Sequence, residues 1–309
     1  MFMRIAPFVF VLLWSSGWIF AAAAAPYSDP LTFLAARYAF AAAALALLVP
    51  ALGRRWPDNP RLWMHGLASG VLLHAIYLGG VWWAIDKGLP TPISGLIAAV
   101  QPLLTAVLAV SLIGERLNRL QWLGLSLGLA GLTLGLAPKF AGLSSGADLS
   151  TLVVINIAAM VSVTLGTLYQ KRFLAGGDLM SVVMMQYLGA FIATAPAAFL
   201  LESLEIRWTV ETIAAMAWSV IALSIGAVGL LLLMIRHGAV SRVASLIYLI
   251  PPTVALQSYL FFGETLLPIQ LLGMGVTVLG VYLVNRTGAT RGDAPISVGV
   301  RPFRNPGPD

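Results

Sequence analysis

Two ionisable side chains stand well inside long apolar stretches of the sequence, where a charge is costly unless it has a partner or faces water. Arg37 lies about six residues inside one stretch. Its forked guanidinium suits a ligand carboxylate; the alternative is that it hydrogen-bonds neighbouring carbonyls or extends to the nearer surface. His74 lies near the centre of the next stretch. We favour a neutral, hydrogen-bonded packing role for His74, with proton coupling or ligand contact as the alternative.

Aromatic and uncharged polar side chains in the same stretches are candidates to line a cavity. Trp14 and Trp18 are four residues apart and share one helix face. The other candidates are Ser15, Tyr77, Gln101, Tyr169 and Tyr248, with Asn156 and Gln257 as further hydrogen-bonding groups. The alternative for Trp and Tyr near the ends of a stretch is anchoring at the membrane interface, which we expect for Trp82 and Trp83.

Prolines interrupt two of the stretches at corresponding places. Pro102 lies near the middle of the fourth stretch, and Pro251 and Pro252 lie near the middle of the ninth. Each proline removes a helix hydrogen bond, and the freed carbonyl must be satisfied by protein, water or a ligand because lipid cannot do it. Matched interruptions predict a binding site near the membrane midplane. The alternative is a kink that serves packing alone.

The elements that carry these residues dominate the chain. Of its 309 residues, 59% are hydrophobic and 10% are charged, whereas a soluble domain carries about 25% charged residues. Ten apolar runs approach the roughly 20 residues with which a helix crosses about 30 Å of hydrocarbon. They cover residues 5–25, 31–52, 62–85, 91–112, 118–137, 151–170, 180–201, 212–234, 241–262 and 266–285. We therefore predict an all-α integral membrane protein with ten transmembrane helices and no room for a soluble catalytic domain.

The distribution of basic residues predicts the orientation. With the N-terminus in the cytoplasm, 14 of the 18 Lys and Arg residues fall on the cytoplasmic side, three fall outside, and Arg37 remains within a stretch. This asymmetry predicts that both termini are cytoplasmic. Because the basic residues are spread over short loops, nucleic-acid binding is not expected. The first stretch also resembles a secretory signal that ends in AAAAAP at residues 21–26, but we expect it to be retained.

One motif occurs twice, as GERLNRLQWLG from Gly114 and as GETLLPIQLLG from Gly263, with a constant separation of 149 residues. The same offset matches Gly17 with Gly166, Asp29 with Asp178 and Tyr38 with Tyr187, and a shift of one residue improves the match near the third and fourth helices. The chain is therefore a duplication of a five-helix unit, and because five is odd the two copies are inverted in the membrane. We expect repeats at 1–137 and 151–285, an external linker at 138–150 and a disordered cytoplasmic tail at 286–309.

The repeated motif includes two carboxylates, Glu115 and Glu264, each beside a glycine at a helix junction. We interpret both hairpins, Gly114-Glu115 and Gly263-Glu264, as structural turns, because Asn118 and Gln121 form a capping pair and Pro268 suits a first helical turn.

These residues resemble the drug/metabolite transporter superfamily, in its ten-helix branch with two EamA-type repeats. The resemblance covers about residues 4–286 and is carried by WSSGW at Trp14–Trp18, FLAARYAF at Phe33–Phe40, Pro102 and the two Gly-Glu-x-Leu hairpins. It implies a multi-pass carrier of the bacterial inner membrane with a central cavity between the repeats. It also implies export of amino acids or related metabolites.

We therefore expect a secondary transporter for amino acids or related amphipathic and aromatic compounds, with no catalytic residues, metal or cofactor. The alternatives are a multidrug or phosphorylated-metabolite exchanger, which several buried cations would favour, and a structural membrane protein. An enzyme is not expected, because the three His are scattered and Cys is absent. The expected partners are a small-molecule substrate and the bilayer. Glycines of the fifth stretch, Gly124, Gly128, Gly131 and Gly135, predict a close helix contact, either within one chain or between two copies.

Overall fold

A computed structural model of the chain describes residues 2–140, 149–237, 240–262 and 267–286. Within these ranges the chain is helical between its connections, and the β-type pairing is confined to one isolated bridge between Ser28 and Ile206. The predicted all-helical fold is confirmed. The residues at 141–148 and 287–309, and the hairpin residues Gly263 and Glu264, lie outside the described part of the chain.

The first repeat forms seven helices. They are α1 Phe2–Ala24, α2 Pro30–Ala51, α3 Pro60–Gly70, α4 Tyr77–Asp86, α5 Thr91–Ala99, α6 Gln101–Ile113 and α7 Arg119–Leu136. A wide π-helical turn, Val71–Ile76, joins α3 to α4 so that they form one stretch. The α5 and α6 helices also form one stretch, which is interrupted at Val100.

The second repeat has the corresponding elements. They are α8 Leu149–Phe173, α9 Leu179–Leu201, α10 Val210–Trp218, α11 Val228–His237, α12 Val240–Ser245, α13 Ile250–Phe262 and α14 Pro268–Arg286. A π-helical segment, Ser219–Ala227, joins α10 to α11, at the place that corresponds to the π turn of the first repeat. A 3-10 turn, Leu246–Leu249, joins α12 to α13.

Several of these stretches are long and apolar enough to cross a membrane. In the described part of the chain there are seven: Pro30–Ala51, Pro60–Asp86, Ile93–Leu112, Leu149–Phe173, Leu179–Leu201, Val210–His237 and Pro268–Asn285. The predicted first and ninth crossings correspond to shorter apolar helices, Ile5–Gly17 and Val243–Gln257. The predicted fifth crossing, 118–137, is helical as α7 but lies outside these seven. A multi-pass helical membrane protein follows from these lengths.

The α6–α7 turn has the geometry that its sequence predicts. Gly114 adopts a left-handed conformation with φ of 70°, which glycine reaches without a steric penalty. Asn118 and Gln121 form a reciprocal capping box, with both hydrogen bonds at 2.9 Å. In the second repeat the Gln270 side chain accepts from the Leu267 N–H at 2.9 Å, so the described part of that turn is built in the same way.

The glycines of α7 contact α14 of the same chain. A Cβ added at Gly131 would lie 2.6 Å from the Gly273 carbonyl oxygen, and one added at Gly280 would lie 2.5 Å from the Gly124 carbonyl oxygen. Glycine at these positions permits close backbone contact between two equivalent helices. The close helix contact predicted from these glycines is therefore made within one chain.

The two repeats interlock through their first helices. Gly17 of α1 faces Leu223 in the π segment of the second repeat, and an added Cβ would lie 2.9 Å from that side chain. Gly166 of α8 faces Leu73 in the π turn of the first repeat at the same distance, 2.9 Å. Each repeat therefore packs its first helix against the third stretch of the other repeat.

Basic residues predominate at one end of the helix bundle and acidic residues at the other, although Asp58 and Asp178 lie at the basic end and Lys87 and Arg207 at the acidic end. The basic end holds the α2–α3 and α8–α9 connections and the end of α11, with Arg54, Arg55, Arg61, Lys171, Arg172 and Arg236. The acidic end holds the α1–α2 and α9–α10 connections and the end of α4, with Asp29, Asp86, Glu202 and Glu205.

Hydrogen bonds join the two repeats at both ends. At the basic end Arg54 pairs with Asp178, the N-cap residue of α9. At the acidic end the Glu202 carboxylate accepts from the Leu31 and Thr32 N–H groups, both at 2.8 Å. These N–H groups belong to the first turn of α2 and have no partner within the helix. Glu202 therefore fixes the start of α2 to the second repeat.

Candidate functional site

A cavity of about 350 Å³ lies between the two repeats and extends inward from the acidic end. Its lining at the acidic end includes Ala25, Ser28 and Asp86, which belong to the α1–α2 connection and to the end of α4. Deeper in the bundle the lining residues from the first repeat are Trp14, Arg37, His74, Tyr77 and Trp82, and those from the second repeat include Ser219, Leu223 and Val228. The cavity is thus mostly apolar, with aromatic side chains and one buried cation.

Arg37 supplies that cation from α2. Its exposed fraction is 6%, and its Nε donates to the Ser224 hydroxyl at 2.9 Å. Ser224 belongs to the π-helical segment of the second repeat, so the bond joins the two halves at the inner end of the cavity. The guanidinium also lies close to the Tyr187 hydroxyl. Neutral oxygen acceptors hold the side chain in place without cancelling its charge.

Two tyrosines occupy equivalent positions beside this site. Tyr38 donates its hydroxyl to the His74 carbonyl oxygen at 3.2 Å, and Tyr187 donates to the Ser224 carbonyl oxygen at 3.1 Å. Both carbonyls lie in π-helical segments, whose wider turns are frequent at functional sites. The two rings stack on each other with centroids 5.8 Å apart. The duplication thus gives the bundle centre an approximately symmetric pair of hydrogen bonds.

His74 is buried in this aromatic layer. Its ring stacks on Tyr187 with centroids 4.7 Å apart and an interplanar angle of 25°, and it lies 5.9 Å from the Tyr38 ring. His74 Nε2 has no partner among the described residues, so a packed neutral ring and a ligand contact both stay predictions.

Comparison with known proteins agrees with this geometry. A family model described as the EamA-like transporter family matches residues 2–136 and again residues 150–286. The chain belongs to the EamA-like transporter family. The double match also accounts for the repeat at an offset of 149 residues.

Relatives match over nearly the whole chain. The uncharacterized transporter YvbV of Bacillus subtilis is 28% identical, and the match covers 93% of each chain. The uncharacterized inner membrane transporter YedA of Escherichia coli is 24% identical over 90% of this chain and 89% of its own. A probable terminal-alkyne amino-acid exporter of Streptantibioticus cattleyicolor is 26% identical over 81% and 82%. With the family, these matches identify a multi-pass protein of the inner membrane.

A crystal structure shows the same fold. It superposes with a TM-score of 0.77 and 20% sequence identity, covering 92% of this chain and 96% of its own. At that identity the likeness concerns the fold alone.

The structure brings four of the residues predicted from sequence to the cavity wall: Trp14, Arg37, His74 and Tyr77. Trp18 lies on α1, and its side chain is outside the described part. Ser15 is buried and donates to the Val11 carbonyl oxygen at 2.6 Å, within its own helix.

The remaining predicted residues lie away from the described cavity lining. Tyr169 accompanies His65, with 2.5 Å between its hydroxyl and Nδ1, and Tyr248 packs against Gly128 of α7. Gln101 and Pro102 are the first two residues of α6, and Pro251 and Pro252 stand in the first turn of α13. The prolines thus stand where the fourth and ninth stretches are interrupted, but outside this cavity.

Several residues of the cavity lining, Ser219 and Trp82, and of the buried layer behind it, Tyr38, Tyr187 and Ser224, were not predicted to lie there. Tyr38 and Tyr187 match each other in the repeat, and that match was the available signal. Ser219 and Ser224 lie in a π-helical segment that no proline or glycine pattern marks in the sequence. Trp82 was expected at the membrane interface, but it lines the cavity and stacks on Phe33 with centroids 6.1 Å apart.

Proposed function

We propose that the protein is a secondary transporter that exports amino acids or related amphipathic and aromatic metabolites by alternating access around the central cavity. It has ten membrane crossings in two inverted five-helix repeats, with both termini in the cytoplasm. The basic end then faces the cytoplasm, which agrees with the excess of Arg and Lys there. The described cavity faces the opposite side.

The observation that carries the proposal is a buried guanidinium inside a largely apolar, aromatic-lined cavity between the repeats. A cavity of this kind suits a small molecule with an anionic group and an apolar body. Burying the Arg37 charge is costly in a packed membrane protein unless it serves a ligand or a partner. The described partners of Arg37 are neutral, which leaves its charge available to an anion.

The cavity is closed toward the basic end by close packing of α3 on α9. An added Cβ at Gly70 would lie 1.9 Å from the Gln186 carbonyl oxygen, and one at Gly189 would lie 2.3 Å from the Leu67 carbonyl oxygen. A site open to one end and closed to the other is one of the two states that alternating access requires. The name of the Streptantibioticus relative, a probable amino-acid exporter, supports the substrate class and the direction.

We assign the two repeats to residues 1–137 and 151–285, with an external linker at 138–150 and a cytoplasmic tail at 286–309. Within them we propose Trp14, Arg37, His74 and Tyr77 as the substrate pathway in the described conformation. The other residues predicted from sequence are proposed for the conformation that opens to the basic end: Ser15, Trp18, Gln101, Pro102, Tyr169, Tyr248, Pro251 and Pro252. The hairpin residues Gly114, Glu115, Gly263 and Glu264 keep a structural role.

The test is flux of a panel of radiolabelled amino acids and aromatic metabolites through proteoliposomes that contain the purified protein. Arg37→Ala is compared with Gln186→Ala, its repeat equivalent outside the cavity, at equal protein content. We expect flux that Arg37→Ala abolishes and Gln186→Ala reduces less.

The flux measurement also distinguishes the ways in which transport could be driven, and it distinguishes transport from a structural role. Flux that rises with an imposed pH gradient makes His74 the first candidate for proton coupling, and flux indifferent to pH indicates another coupling ion or facilitated diffusion. No flux of any compound above empty vesicles would contradict transport of this class and favour a structural role. A phosphorylated substrate is disfavoured because Arg37 is the single Lys or Arg in the described cavity lining.

A further inference from the structure

The charged residues of the cavity lining lie at different depths. Among the residues described in its lining, Arg37 is the basic one and Asp86 is the acidic one. None of the 12 Asp and Glu residues of the sequence falls within the ten apolar stretches. The site around Arg37 therefore offers a buried cation and no carboxylate.

Asp86 stands at the outer end of the cavity, one helix length from the deeper part of its lining. It ends α4, which begins at Tyr77 in the deeper part of the lining, and nine residues of helix span about 13 Å. Asp86 is also occupied by Lys87, whose Nζ lies 3.0 Å from its carboxylate. In a free amino acid the ammonium group is attached to the carbon next to the carboxylate. A carboxylate bound to Arg37 would therefore leave that ammonium far from Asp86.

The hydroxyl and carbonyl acceptors described near Arg37 are already used within the protein, and His74 Nε2, which has no described partner, is a neutral acceptor that offsets no charge. The Ser224 hydroxyl accepts from Arg37 Nε, and the Ser224 carbonyl oxygen accepts from Tyr187. The His74 carbonyl oxygen accepts from Tyr38. An ammonium group placed here would lie beside a guanidinium of the same charge, in a desolvated site where no described carboxylate of the protein binds it.

We infer that the preferred substrate is an aromatic or similarly apolar monocarboxylate without a free ammonium group. Its carboxylate binds Arg37, and its apolar body packs against Trp14, Tyr77 and Trp82. Compounds whose amino group is absent, acylated or replaced by a keto group fit this description, and zwitterionic amino acids fit it less well. This inference rests on the proposed transport function and narrows its substrate class.

Three compounds with the same phenyl and two-carbon skeleton test the inference: 3-phenylpropanoate, L-phenylalanine and 2-phenylethylamine. They carry a carboxylate alone, both groups, and an ammonium alone. Binding to the full chain in lipid nanodiscs at pH 7 is measured by tryptophan fluorescence, since Trp14 and Trp82 line the cavity. We expect a Kd for 3-phenylpropanoate at least tenfold below that for L-phenylalanine, and no saturable binding of the amine.

The binding and exchange measurements distinguish failure of the inference from failure of the proposed transport function. If L-phenylalanine binds as tightly as 3-phenylpropanoate or more tightly, the inference is wrong while transport of aromatic amino acids stands. If none of the three compounds binds and none exchanges across proteoliposomes, the proposed function fails for aromatic substrates, and the inference fails with it.

Two substitutions assign the preference to Arg37. Arg37→Gln introduces the residue found at the equivalent position 186, and we expect it to reduce the difference between the acid and the zwitterion to about twofold. Arg37→Lys keeps the charge and should keep the preference. A tenfold preference that survives Arg37→Gln would overturn this assignment. If Arg37→Gln does not fold, the comparison of the three compounds on the unmodified protein still decides the inference.

Discussion

The two repeats bring equivalent helices together at opposite ends of the bundle, but only one of the contacts is tight. At the basic end α3 meets α9 through Gly70 and Gly189, and the backbones touch. With the one-residue shift of the repeat alignment at the third helix, the corresponding positions are Val220, in the π-helical segment Ser219–Ala227, and Phe40 of α2. The cavity is lined by other residues of these two elements, Arg37 of α2 and Ser219 and Leu223 of the π-helical segment. Paired glycines let the two backbones touch at the closed, basic end. Valine and phenylalanine occupy the corresponding positions in the pair of elements at the open, acidic end.

The polar residues at the open and closed contacts also differ, in charge. Arg37 and Gln186 are equivalent by the offset of 149. Arg37 lines the cavity, whereas the Gln186 Nε2 donates to the Ser69 hydroxyl at 2.8 Å and to Gln170 Oε1 at 3.0 Å inside the closed contact. A buried amide can be satisfied by neutral partners, but a buried guanidinium is costly unless water or an anion reaches it. Of the two equivalent residues, the charged Arg37 therefore lies at the open contact and the neutral Gln186 lies at the closed one.

The largest effect is expected from making the closed contact resemble the open one. Gly70→Val introduces the residue of position 220, and its Cβ would overlap the Gln186 carbonyl oxygen, so α3 and α9 must separate. We expect transport to fall to background. A thiol introduced by Gln170→Cys should become reactive to a water-soluble reagent, without background because the chain has no Cys.

The matched control is Val220→Gly, which removes a side chain where no close backbone contact depends on it. Val220 is buried in the core, so the substitution should lower the free energy of unfolding by about 1–3 kcal/mol, but it forces no helices apart, and we expect transport per folded protein within about twofold of the unmodified protein. Full transport by Gly70→Val, at equal membrane abundance, would show that the glycine contact does not set the closed end.

The second effect concerns Arg37 and Gln186, whose substitutions should change different quantities. We expect the first to lower ligand affinity and the second to lower the free energy of unfolding. Arg37→Ala removes a charge-assisted ligand bond worth about 1.5–3 kcal/mol, which corresponds to about 10–100-fold in affinity. Gln186→Ala leaves buried Ser69 and Gln170 without a partner, and should lower the free energy of unfolding by about 1–3 kcal/mol. Substrate binding and thermal unfolding in detergent, measured on both variants, test this division. Equal loss of affinity in both variants would contradict it.

A smaller effect is expected at the two tyrosines. Tyr38→Phe and Tyr187→Phe each remove one hydroxyl that donates to a carbonyl in a π-helical segment. Each loss should lower the free energy of unfolding by about 0.5–1.5 kcal/mol, the net value of such a bond. In chemical unfolding Tyr187→Phe should show the larger loss, because its hydroxyl also lies close to the Arg37 guanidinium. A larger loss in Tyr38→Phe would contradict this order.

The smallest effect concerns Asp178 at the basic end. Burial raises the pKa of this carboxyl, but hydrogen bonds from Ser181 and the pairing with Arg54 outweigh it, so the pKa lies below the ordinary 3.8. The stabilisation is therefore present above pH 3.8 and is lost as the pH falls through the lowered pKa. Because both side chains are partly exposed, Asp178→Asn should cost about 0.2–1 kcal/mol at pH 7.

Arg54→Gln should cost a similar amount, and the double variant little more, because the two substitutions remove the same interaction. Thermal unfolding at pH 7 and near pH 3 tests both statements, and full additivity of the two losses would exclude the pair as their common cause.

The comparison also shows what sequence reasoning can reach. Arg37 was predicted because a charge inside an apolar stretch is conspicuous, and the inverted repeat was predicted because glycines and turn residues keep a constant offset. Tyr169 and Tyr248 lie outside the described cavity lining, since an aromatic residue in an apolar helix packs against a neighbour as readily as it lines a cavity. The π-helical segments carry no residue signal, so Ser224 could not be placed beside Arg37 from sequence.

The interlocking of Gly17 with Leu223 has a consequence for biosynthesis. At about 5–20 residues per second, the ribosome adds the residues between them in about 10–40 s. During this time α1 is already in the bilayer without its partner, and its small-residue face must be covered by lipid or by an insertion factor. A chain that ends after the first repeat would therefore lack the packing partner of Gly17.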